Sequence, residues 1–348
     1  MYKQGGCPYG THRSIDPVGS LPQPAQKVDN SMEIWDNEIL VEVETLNIDA
    51  ASFRQISKQA EGDPGKIGEI ILETVAQRGK QHNPVTGSGG MLIGRVIDIG
   101  PALQNKRKNI SPGDRIATMV SLSLTPLHIN EIISVRPETC QVDVRAQAVL
   151  FASGIYARLP EDMPDKLALA VLDVAGAPAQ TAKIVKPGNT VLVIGAGGKS
   201  GLLCLHEAKK RAGITGKVIA LDLTTNALAR IRQAGSADAI IQADAQEPVA
   251  VLKKVVEASA GALADVTINC VDIPGTEMTS ILATKDGGMV YFFSMATSFT
   301  AAALGAEGVG KDVEMLIGNG YTKGHSEIAL NCLRENEALR ELFTKVYA

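Results

Sequence analysis

The segment from Val191 to Gly201 constrains the fold of this chain more than any other. It reads Val-Leu-Val-Ile-Gly-Ala-Gly-Gly-Lys-Ser-Gly, and its four leading apolar residues are typical of a buried parallel strand. Apolar residues then recur at helical spacing up to Gly213, at Leu202, Leu205, Ala208 and Ala212. A strand, a glycine-rich turn and a helix in this order predict the opening unit of a dinucleotide-binding domain. The backbone N–H groups at the start of such a helix hold a pyrophosphate.

The glycine spacing of this turn departs from the usual Gly-x-Gly-x-x-Gly, because Ser200 occupies the position of the third glycine. We interpret the turn as a Gly-x-x-Gly-x-x-Gly variant formed by Gly195, Gly198 and Gly201, with Gly197 as a further small residue. The motif predicts that a pyrophosphate lies against this backbone.

A carboxylate follows the next apolar run. Asp222 directly follows Val218–Leu221 and lies 21 residues after Gly201. In dinucleotide-binding domains, an acid at this distance accepts hydrogen bonds from the adenosine ribose hydroxyls. The same charge repels the 2′-phosphate of NADP. We therefore predict NAD as the cofactor, with NADP as the alternative because Thr224, Thr225, Arg230 and Arg232 lie close in sequence. The competing interpretation is a tight turn followed by an ordinary surface aspartate.

Length, charge and cysteine content restrict the class of protein. A chain of 348 residues is long enough for two domains, each with its own core. Its formal net charge of -4 favours no nucleic-acid partner. The five cysteines are scattered without metal-ligand spacing, so we expect no disulfide framework. The first residues lack the apolar pattern of a signal segment, so we expect none, and no apolar run approaches the roughly 20 residues that span a bilayer. We expect a cytoplasmic protein with no membrane partner.

The first part of the chain, residues 1–160, is predicted to be mainly β after an irregular arm of about thirty residues. Ile39, Val41 and Val43 alternate with polar residues, which is typical of a half-buried strand. The predicted strands are Glu38–Asn47, Gly87–Ile99, Arg115–Val120, Glu131–Val135 and Ala148–Arg158, and the predicted helices are Ala50–Ile56 and Gly65–Arg78.

The second part, residues 161–324, alternates strands with helices, which predicts a parallel sheet with right-handed crossovers. Strands are predicted at Val191, Val218, Ile240, Val266 and Met289, with helices at Leu202, Thr225, Pro248 and Thr276 between them. We expect Lys166–Val185 to be helical with interruptions at Gly176 and Pro178, and Met315–Tyr321 to be a sixth strand. Residues 325–348 are predicted to close the chain as one amphipathic helix at the junction of the two domains.

This order of elements resembles the medium-chain dehydrogenase/reductase superfamily. The resemblance is carried by Ile39–Ser52, Gly87–Gly100, Pro112-Gly113-Asp114-Arg115, and Lys186-Pro187-Gly188 leading into the glycine turn. It implies an α/β protein in which a GroES-like β domain precedes a Rossmann doubly wound parallel sheet domain. By the same analogy the protein is a homodimer.

Two departures from the superfamily pattern are visible. Zinc-dependent members carry Gly-His-Glu-x-x-Gly where this chain has Gly89-Gly90-Met91-Leu92-Ile93-Gly94, and Gly90 and Met91 cannot ligate zinc. No cysteine lies near Asn47, and the four-cysteine structural zinc lobe is missing, so we expect a zinc-free protein. The chain also ends one helix after the sixth predicted strand, whereas typical members return for further strands of the first domain.

Within the superfamily, the N-terminal arm resembles the dehydrogenases that act on L-erythro-3,5-diaminohexanoate. The matching residues are Tyr9-Gly-Thr-His-Arg13 and Leu21-Pro-Gln-Pro24. This resemblance implies an NAD(P)-dependent amino acid dehydrogenase of lysine fermentation, which acts on a CH–NH₂ group of a small diamino acid and yields 5-amino-3-oxohexanoate. The alternatives are a zinc-free quinone or enoyl reductase of the same superfamily and a nucleotide-binding module without turnover.

The implied substrate carries a carboxylate and two amines, so the pocket needs a cation and at least one acid. We predict Asp49 as ammonium-recognising group or general base, with a helix N-cap as the alternative. Ser52 is a candidate proton relay, and Asp173 is a candidate buried acid whose alternative is a local cap. Tyr9, His12 and Arg13 are predicted to bind the substrate, unless the arm is only a structural strap. Tyr156 and His325 are further candidates.

Superfamily placement puts the pocket between the domains, at the C-terminal ends of the parallel strands. The segments that match are Asn47–Ser52, Gly87–Met91, Asp173–Gly176, Asn269–Val271 and Phe293–Met295. The residues predicted to bind the cofactor are Gly195, Gly197, Gly198, Lys199, Ser200, Gly201, Asp222, Cys270, Val271, Phe293 and Ser294.

Overall fold

The computed structural model describes residues 2–83, 87, 89–104, 106, 109–318 and 320–347, without the side chains of residues 50 and 51. The chain divides into two compact units, Met1–Pro160 and Glu161–Ala348. Among the described residues, no helix is both long and apolar enough to pass through a lipid bilayer.

The first unit is built on a six-stranded antiparallel sheet with the order β6-β7-β3-β4-β5-β8. A two-stranded ribbon of the arm lies outside that sheet. The strands are β1 Ser14–Asp16, β2 Lys27–Val28, β3 Glu38–Asn47, β4 Met91–Ile99, β5 Arg115–Thr118, β6 Leu127–Arg136, β7 Gln141–Phe151 and β8 Tyr156–Arg158. The helices are α1 Ala50–Gln59, α2 Pro64–Arg78 and α3 Pro101–Gln104, and short 3₁₀ turns form at Thr11–Arg13, Leu122–Leu124 and Pro137–Thr139.

The core of this unit follows from the alternation seen in the sequence. Ile39, Val41 and Val43 of β3 are buried in one cluster with the inner faces of β4 and β7. Helix α2 begins with Pro64 and with Asp63, whose side chain accepts a hydrogen bond from the Lys66 N–H. It ends at Gly79, which has a left-handed φ of 72°. Helix α2 is therefore bounded by its local sequence and held by the apolar side that faces β6.

The second unit contains a six-stranded parallel sheet with the order β11-β10-β9-β12-β13-β14. Its strands are β9 Thr190–Ile194, β10 Lys217–Asp222, β11 Ala239–Gln242, β12 Ala264–Asn269, β13 Thr284–Phe292 and β14 Val313–Ile317. Its helices are α4 Asp165–Leu172, α5 Gly176–Ile184, α6 Lys199–Ala212, α7 Thr225–Ala234, α8 Pro248–Ala258, α9 Glu277–Ala283, α10 Phe299–Gly308, α11 His325–Glu335 and α12 Glu337–Tyr347. This is the strand order of a dinucleotide-binding Rossmann sheet. From β9, successive strands are added first on one side (β10, β11) and then on the other (β12, β13, β14), so the switch point lies between β9 and β12. The predicted fold class is confirmed.

Several predicted elements differ from the structure. Three strands have shifted ends: the strand predicted at Gly87–Ile99 begins at Met91, the one predicted at Arg115–Val120 ends at Thr118, and the one predicted at Glu131–Val135 spans Leu127–Arg136. The single strand predicted at Ala148–Arg158 is wrong, because Gly154 N–H bonds to the Phe151 carbonyl and closes a turn that separates β7 from β8. The sixth strand is Val313–Ile317 and ends before Tyr321. The interruption in Lys166–Val185 lies at residues 173–175, whereas Gly176 and Pro178 lie in the first turn of α5, where proline needs no N–H partner.

The predicted C-terminal helix is two helices. Asn336 separates α11 from α12, and its side chain accepts a hydrogen bond from the Leu339 N–H, which restarts the helix. Helix α11 packs on α4, α5 and α6, and helix α12 packs on α4 and α7, all of the second unit. The described end of the chain thus covers helices of the parallel sheet and adds no strand to either sheet.

Candidate active site

A cleft of about 350 Å³ opens at the carboxyl edge of the parallel sheet, where the strand order reverses. Its lining comes from the turn after β9, the end of β10 and the segment after β12, and includes Gly195, Gly198, Asp222, Arg230, Cys270 and Val271. A cleft at this point of a doubly wound sheet is the usual position of a dinucleotide.

At three glycines of the turn, a side chain would clash with neighbouring atoms. Gly195 has a φ of 74°, and a Cβ at that residue would lie 2.8 Å from a methyl group of Val271. At Gly197 a Cβ would lie 2.6 Å from the Cβ of Ala227, and at Gly201 it would lie 2.2 Å from the Gly195 carbonyl oxygen. The nearest atom to a Cβ at Gly198 is 3.4 Å away, an ordinary contact. The triplet that the packing requires is therefore Gly195, Gly197 and Gly201, which corrects the predicted variant with Gly198 at its centre.

Helix α6 presents its free N–H groups at this turn. Its N-cap is Gly198, which has no side chain to occupy those groups, and its first turn contains no acid. Its last turn is basic, at Lys209, Lys210 and Arg211. Ser200 is buried in the first turn, and Lys199 forms an ion pair of 2.5 Å with Asp173. The helix dipole and the unoccupied donors suit an anion at the position predicted for the pyrophosphate.

Asp222 and Arg230 fix the turn from the other side. Asp222 accepts a 2.9 Å hydrogen bond from the Gly197 N–H and a 2.8 Å bond from the Leu223 N–H. Arg230 donates from Nε to the Gly197 carbonyl at 2.8 Å. Both side chains line the cleft, and their charges also reach Tyr347 of α12. Burial raises the pKa of Tyr347; the Arg230 charge opposes that rise and the Asp222 charge adds to it. The C-terminal helix therefore ends close to this side of the cleft.

The other predicted cofactor residues follow β12 and β13 at the same sheet edge. The backbone of Cys270 donates to the Ile194 carbonyl, and Val271 N–H donates to the side chain of Asn269. Phe293 and Ser294 both donate to the Asn269 carbonyl. The Asn269 amide is itself held by Thr276 and Ser280 in the buried interior. Asn269 thus arranges both segments, a positioning role that no local motif indicated.

The prediction of a buried acid at Asp173 is wrong. Asp173 is the C-cap of α4, and its side chain is 46% exposed. Its carboxylate meets Lys199 Nζ, so the two residues join the end of α4 to the start of α6. This pair places Asp173 beside the lysine of the glycine turn.

In the first unit, Asp49 and Ser52 form a capping pair. Asp49 Oδ1 accepts from the Ser52 N–H at 2.9 Å, and Oδ2 accepts from the Ser52 hydroxyl at 2.6 Å. The buried amide of Asn83 donates to the same hydroxyl at 3.0 Å. The predicted alternative, a helix N-cap, is the geometry observed. Asn83, which the sequence did not single out, completes this hydrogen-bonded chain.

Gly90, which stands where zinc-dependent members have histidine, has a backbone conformation that leaves no room for a side chain. Its φ is 88°, and a Cβ would lie 2.1 Å from the Asn47 carbonyl oxygen. In the segment Gly87–Met91, Ser88 lies outside the described residues. Across the ranges that the structure describes, no group of three or more His, Cys, Asp or Glu side chains is arranged to hold a metal ion.

The arm places Arg13 inside its own core. Arg13 is fully buried and donates to both oxygens of Glu38, at 2.7 Å each, and to the carbonyls of residues 29, 31 and 33. His12 Nδ1 accepts from the Cys7 N–H, so its Nε2 is the atom that donates to Glu38 at 2.9 Å. All five Arg13 donors are therefore used, which argues against its predicted contact with a substrate carboxylate. Tyr9 is 62% exposed.

The two further candidates, Tyr156 and His325, belong to different units. In the first unit, the Tyr156 hydroxyl donates to Asn109 at 3.1 Å. In the second, His325 begins α11 and packs edge-on against the ring of Tyr321, with the ring centroids 5.2 Å apart. Burial lowers the pKa of His325, so its ring is neutral at pH 7.

The chain matches known proteins over most of its length. The profile of the L-erythro-3,5-diaminohexanoate dehydrogenase N-terminal domain matches residues 12–160. An L-erythro-3,5-diaminohexanoate dehydrogenase of Acetoanaerobium sticklandii is 58% identical over 98% of this chain and 99% of its own length. One of Fusobacterium nucleatum is 56% identical with the same coverage.

The structural neighbours share the fold at low sequence identity. A mycobacterial quinone oxidoreductase has a TM-score of 0.56 at 17% identity, covering 94% of this chain and 84% of its own. An Escherichia coli quinone oxidoreductase complexed with NADPH has a TM-score of 0.52 at 18% identity, covering 90% and 80%. The predicted fold, a β domain followed by a Rossmann domain, is thus confirmed. With the full-length identity above, the chain belongs to the L-erythro-3,5-diaminohexanoate dehydrogenase family.

Proposed function

We propose that this protein oxidatively deaminates L-erythro-3,5-diaminohexanoate at C3 in lysine fermentation. The substrate amine loses a hydride to the oxidised cofactor, and water hydrolyses the resulting imine to 5-amino-3-oxohexanoate and ammonia, with release of a proton. The observation that carries the proposal is the 58% identity to a dehydrogenase of that name over 98% of the chain. The match covers 98% of the chain, so it includes both units and is not confined to the nucleotide-binding one.

NAD is the cofactor that we propose. The glycine turn and the start of α6 supply backbone N–H donors for the pyrophosphate. At Gly195, Gly197 and Gly201 there is no room for a Cβ, so these residues must be glycine for the turn to form. Asp222 lines the cleft with a carboxylate that is held by two N–H groups. That charge favours ribose hydroxyls and opposes a 2′-phosphate, although Arg230 nearby reduces the opposition. A nicotinamide held in this cleft would supply the hydride acceptor for the substrate carbon.

The remaining chemistry falls to the protein's own groups, since oxidation of the amine needs loss of a proton from an ammonium. We propose Asp49 as the proton acceptor, because its carboxylate is only half-buried while Ser52 beside it is fully buried. Ser52 and Asn83 then act as positioning residues that hold the carboxylate in one orientation. Asp173 is proposed to orient Lys199 toward the pyrophosphate.

The test is cofactor reduction, followed by absorbance at the nicotinamide band, with L-erythro-3,5-diaminohexanoate and either NAD or NADP. We expect turnover with kcat/KM at least about tenfold higher for NAD, and Asp222→Asn should narrow that ratio by about tenfold or more. Asp286→Asn removes a charge from an exposed site away from the cleft and is the matched control.

Absence of diamino acid oxidation, with reduction of a quinone or an enone instead, would contradict the proposed reaction. A tenfold preference for NADP would contradict the proposed cofactor alone.

We also propose a cytoplasmic homodimer, by analogy with the superfamily, and light scattering on the purified protein measures its mass.

A further inference from the structure

The cleft of the second unit continues past Asp222 along the edge of the parallel sheet. Its lining there comes from the segments after β10, β11 and β12 and includes Leu223, Ala243, Asp244 and Ile273. In a dinucleotide the pyrophosphate, the ribose and the adenine follow one another. With the pyrophosphate at the start of α6 and the ribose at Asp222, the base extends into this outer part of the cleft. The inference below therefore rests on the cofactor proposed above.

Apolar side chains border the outer part of the cleft. Leu223 follows β10 and is 49% exposed, and Ile273 lies in the segment after β12 and is 40% exposed. Strands β10 and β12 flank β9, so these two segments border the cleft from both sides of that strand. Apolar walls of this kind suit the flat faces of a purine ring. The polar edge of the ring needs a different partner.

Asp244 supplies an oriented acceptor next to the ribose acid. In the pairing of β10 with β11, Asp222 lies opposite Gln242, and the Ala243 N–H donates to the Asp222 carbonyl at 3.1 Å. Asp244 is half-buried, and its Oδ1 accepts a 2.9 Å hydrogen bond from the Gln246 N–H, which fixes the carboxylate. Across the part of the chain that the structure describes, Oδ2 accepts no hydrogen bond. Oδ2 is therefore the atom available to a ligand.

Purines differ in the group at position 6 of the ring. Adenine carries an amine there that donates hydrogen bonds, whereas guanine and hypoxanthine carry an oxygen that accepts them. A carboxylate only accepts, so it pairs with the amine and repels the oxygen. Hypoxanthine also has an N1–H donor, but that donor lies on the neighbouring ring atom, away from an acceptor fixed at position 6.

We propose that Asp244 accepts a hydrogen bond from the 6-amino group of the cofactor's adenine and thereby selects adenine dinucleotides over those of other purines. Asp272, a second acid in this part of the cleft, is the competing reader of the base. Asp272 is exposed, whereas Asp244 is half-buried and held by Gln246. A hydrogen bond that is partly screened from water is stronger, so it discriminates better between two bases.

Isothermal titration of the purified full chain with NAD and with nicotinamide hypoxanthine dinucleotide tests this role. We expect the Kd for NAD to be at least about tenfold lower, because a site built around an amine rejects the analogue that lacks it. Asp244→Asn should narrow this ratio to less than about threefold, since an amide accepts from an amine or donates to an oxygen. The asparagine also keeps an oxygen for the Gln246 N–H, so Tm should stay close to that of the wild type.

Asp272→Asn is the matched control, because it removes the same charge from the same part of the cleft. An exposed charge is screened by salt and does not distinguish the two bases, so this variant should keep the ratio within about twofold of the wild type.

Equal Kd values for the two dinucleotides in the wild type overturn the proposal. So does a ratio that Asp272→Asn narrows and Asp244→Asn leaves unchanged, or one that neither variant changes. The titration needs no substrate, so a lack of diamino acid oxidation removes the proposed reaction and leaves the role of Asp244 intact. Normal oxidation with no discrimination between the bases does the reverse. If neither dinucleotide binds, the proposed cofactor and this role of Asp244 are both wrong.

Discussion

At the scale of single residues, the nucleotide turn is defined by where a Cβ is excluded. A Cβ at Gly195, Gly197 or Gly201 would lie within 3.0 Å of another atom, whereas one at Gly198 would not. Gly198 and Gly201 therefore serve different purposes. Gly201 lets α6 approach the turn that follows β9, and Gly198 leaves the helix start open toward the cleft.

This difference predicts opposite outcomes for two alanine variants. Gly201→Ala forces a methyl against the Gly195 carbonyl and should destabilise the fold by about 1–3 kcal/mol, as overpacking does. Gly198→Ala should leave the free energy of unfolding nearly unchanged while it weakens NAD binding, because its methyl faces the cleft side. Thermal unfolding and NAD titration of both variants measure the two effects. Equal Tm losses would contradict the assignment.

The residues of the site are only partly predictable from the sequence. Asp49 and Ser52 are three positions apart, so a capping geometry is readable from local spacing. Asn83 lies 31 positions from Ser52 and Glu38 lies 25 positions from Arg13, and no single sequence reveals such pairings. Because Glu38 is distant in the sequence, Arg13 looks unpaired there, and a substrate role is predicted for it. In the structure its partner is Glu38 of the same unit.

At the scale of elements, a buried ion pair anchors the N-terminal arm. Arg13 and Glu38 are both fully buried, and the pair joins the arm to the first residue of β3. Breaking a buried pair leaves an uncompensated charge, which costs about 3–5 kcal/mol. An exposed pair such as Arg145 with Glu131 contributes at most about 1 kcal/mol.

Arg13→Met should accordingly destabilise the protein by about 3–5 kcal/mol, and Arg145→Met by less than about 1 kcal/mol. The double variant Arg13→Met with Glu38→Leu should recover part of the loss, because no charge is then left without a partner. Denaturant unfolding of the wild type and these three variants provides the comparison. Equal losses for both arginine variants would remove the arm's anchoring role.

The same pair predicts the direction of a pH effect. Burial alone raises the pKa of Glu38, but the hydrogen bonds from His12 and Arg13, the Arg13 charge and the Trp35 N–H lower it overall. A lowered carboxyl pKa contributes stability above the unfolded value, about 4.3, and that stability is lost as the pH falls through the folded value. The difference in unfolding free energy between wild type and Arg13→Met should therefore shrink below about pH 4.

Elements with a strict hydrophobic period are predictable, and those without one are not. β3, α2 and α6 show a clear period and bounding residues, and each forms where expected. Helix α10 is not indicated by the sequence, because Phe299–Gly308 consists largely of alanine and glycine and shows no apolar stripe. The break at Asn336 is hidden because leucines continue on both sides of it.

At the scale of the whole molecule, the order β domain then parallel sheet is predictable because strand–helix alternation and right-handed crossovers leave few topologies. The position of α11 and α12 is not, since it depends on packing against four helices distant in sequence. Thiols distributed over both units report on the two halves separately. Cys7 and Cys140 lie in the first unit, and Cys204, Cys270 and Cys332 lie in the second.

Ellman titration at pH 7 should therefore resolve classes of cysteine. Cys7 should react first, because hydrogen bonds from Thr11 and from nearby backbone N–H groups lower its pKa, whereas burial raises that of Cys140. Cys204 and Cys332 are buried with raised pKa values and should react only on unfolding. NAD should slow Cys270, which lines the cleft, and leave Cys7 unaffected. Cys7→Ser identifies the fast phase, and NAD protection of Cys7 instead would contradict the assignment.

The displaced third glycine has a consequence for how such turns are described. Ser200 occupies the customary position, yet the close approach of α6 to the turn after β9 is made one residue later, at Gly201. The requirement is a volume that must stay empty, and the helix can meet it from either of two adjacent positions. A sequence motif that requires glycine at residue 200 does not match this turn. A steric criterion, which asks where a Cβ would clash with the neighbouring backbone, does match it.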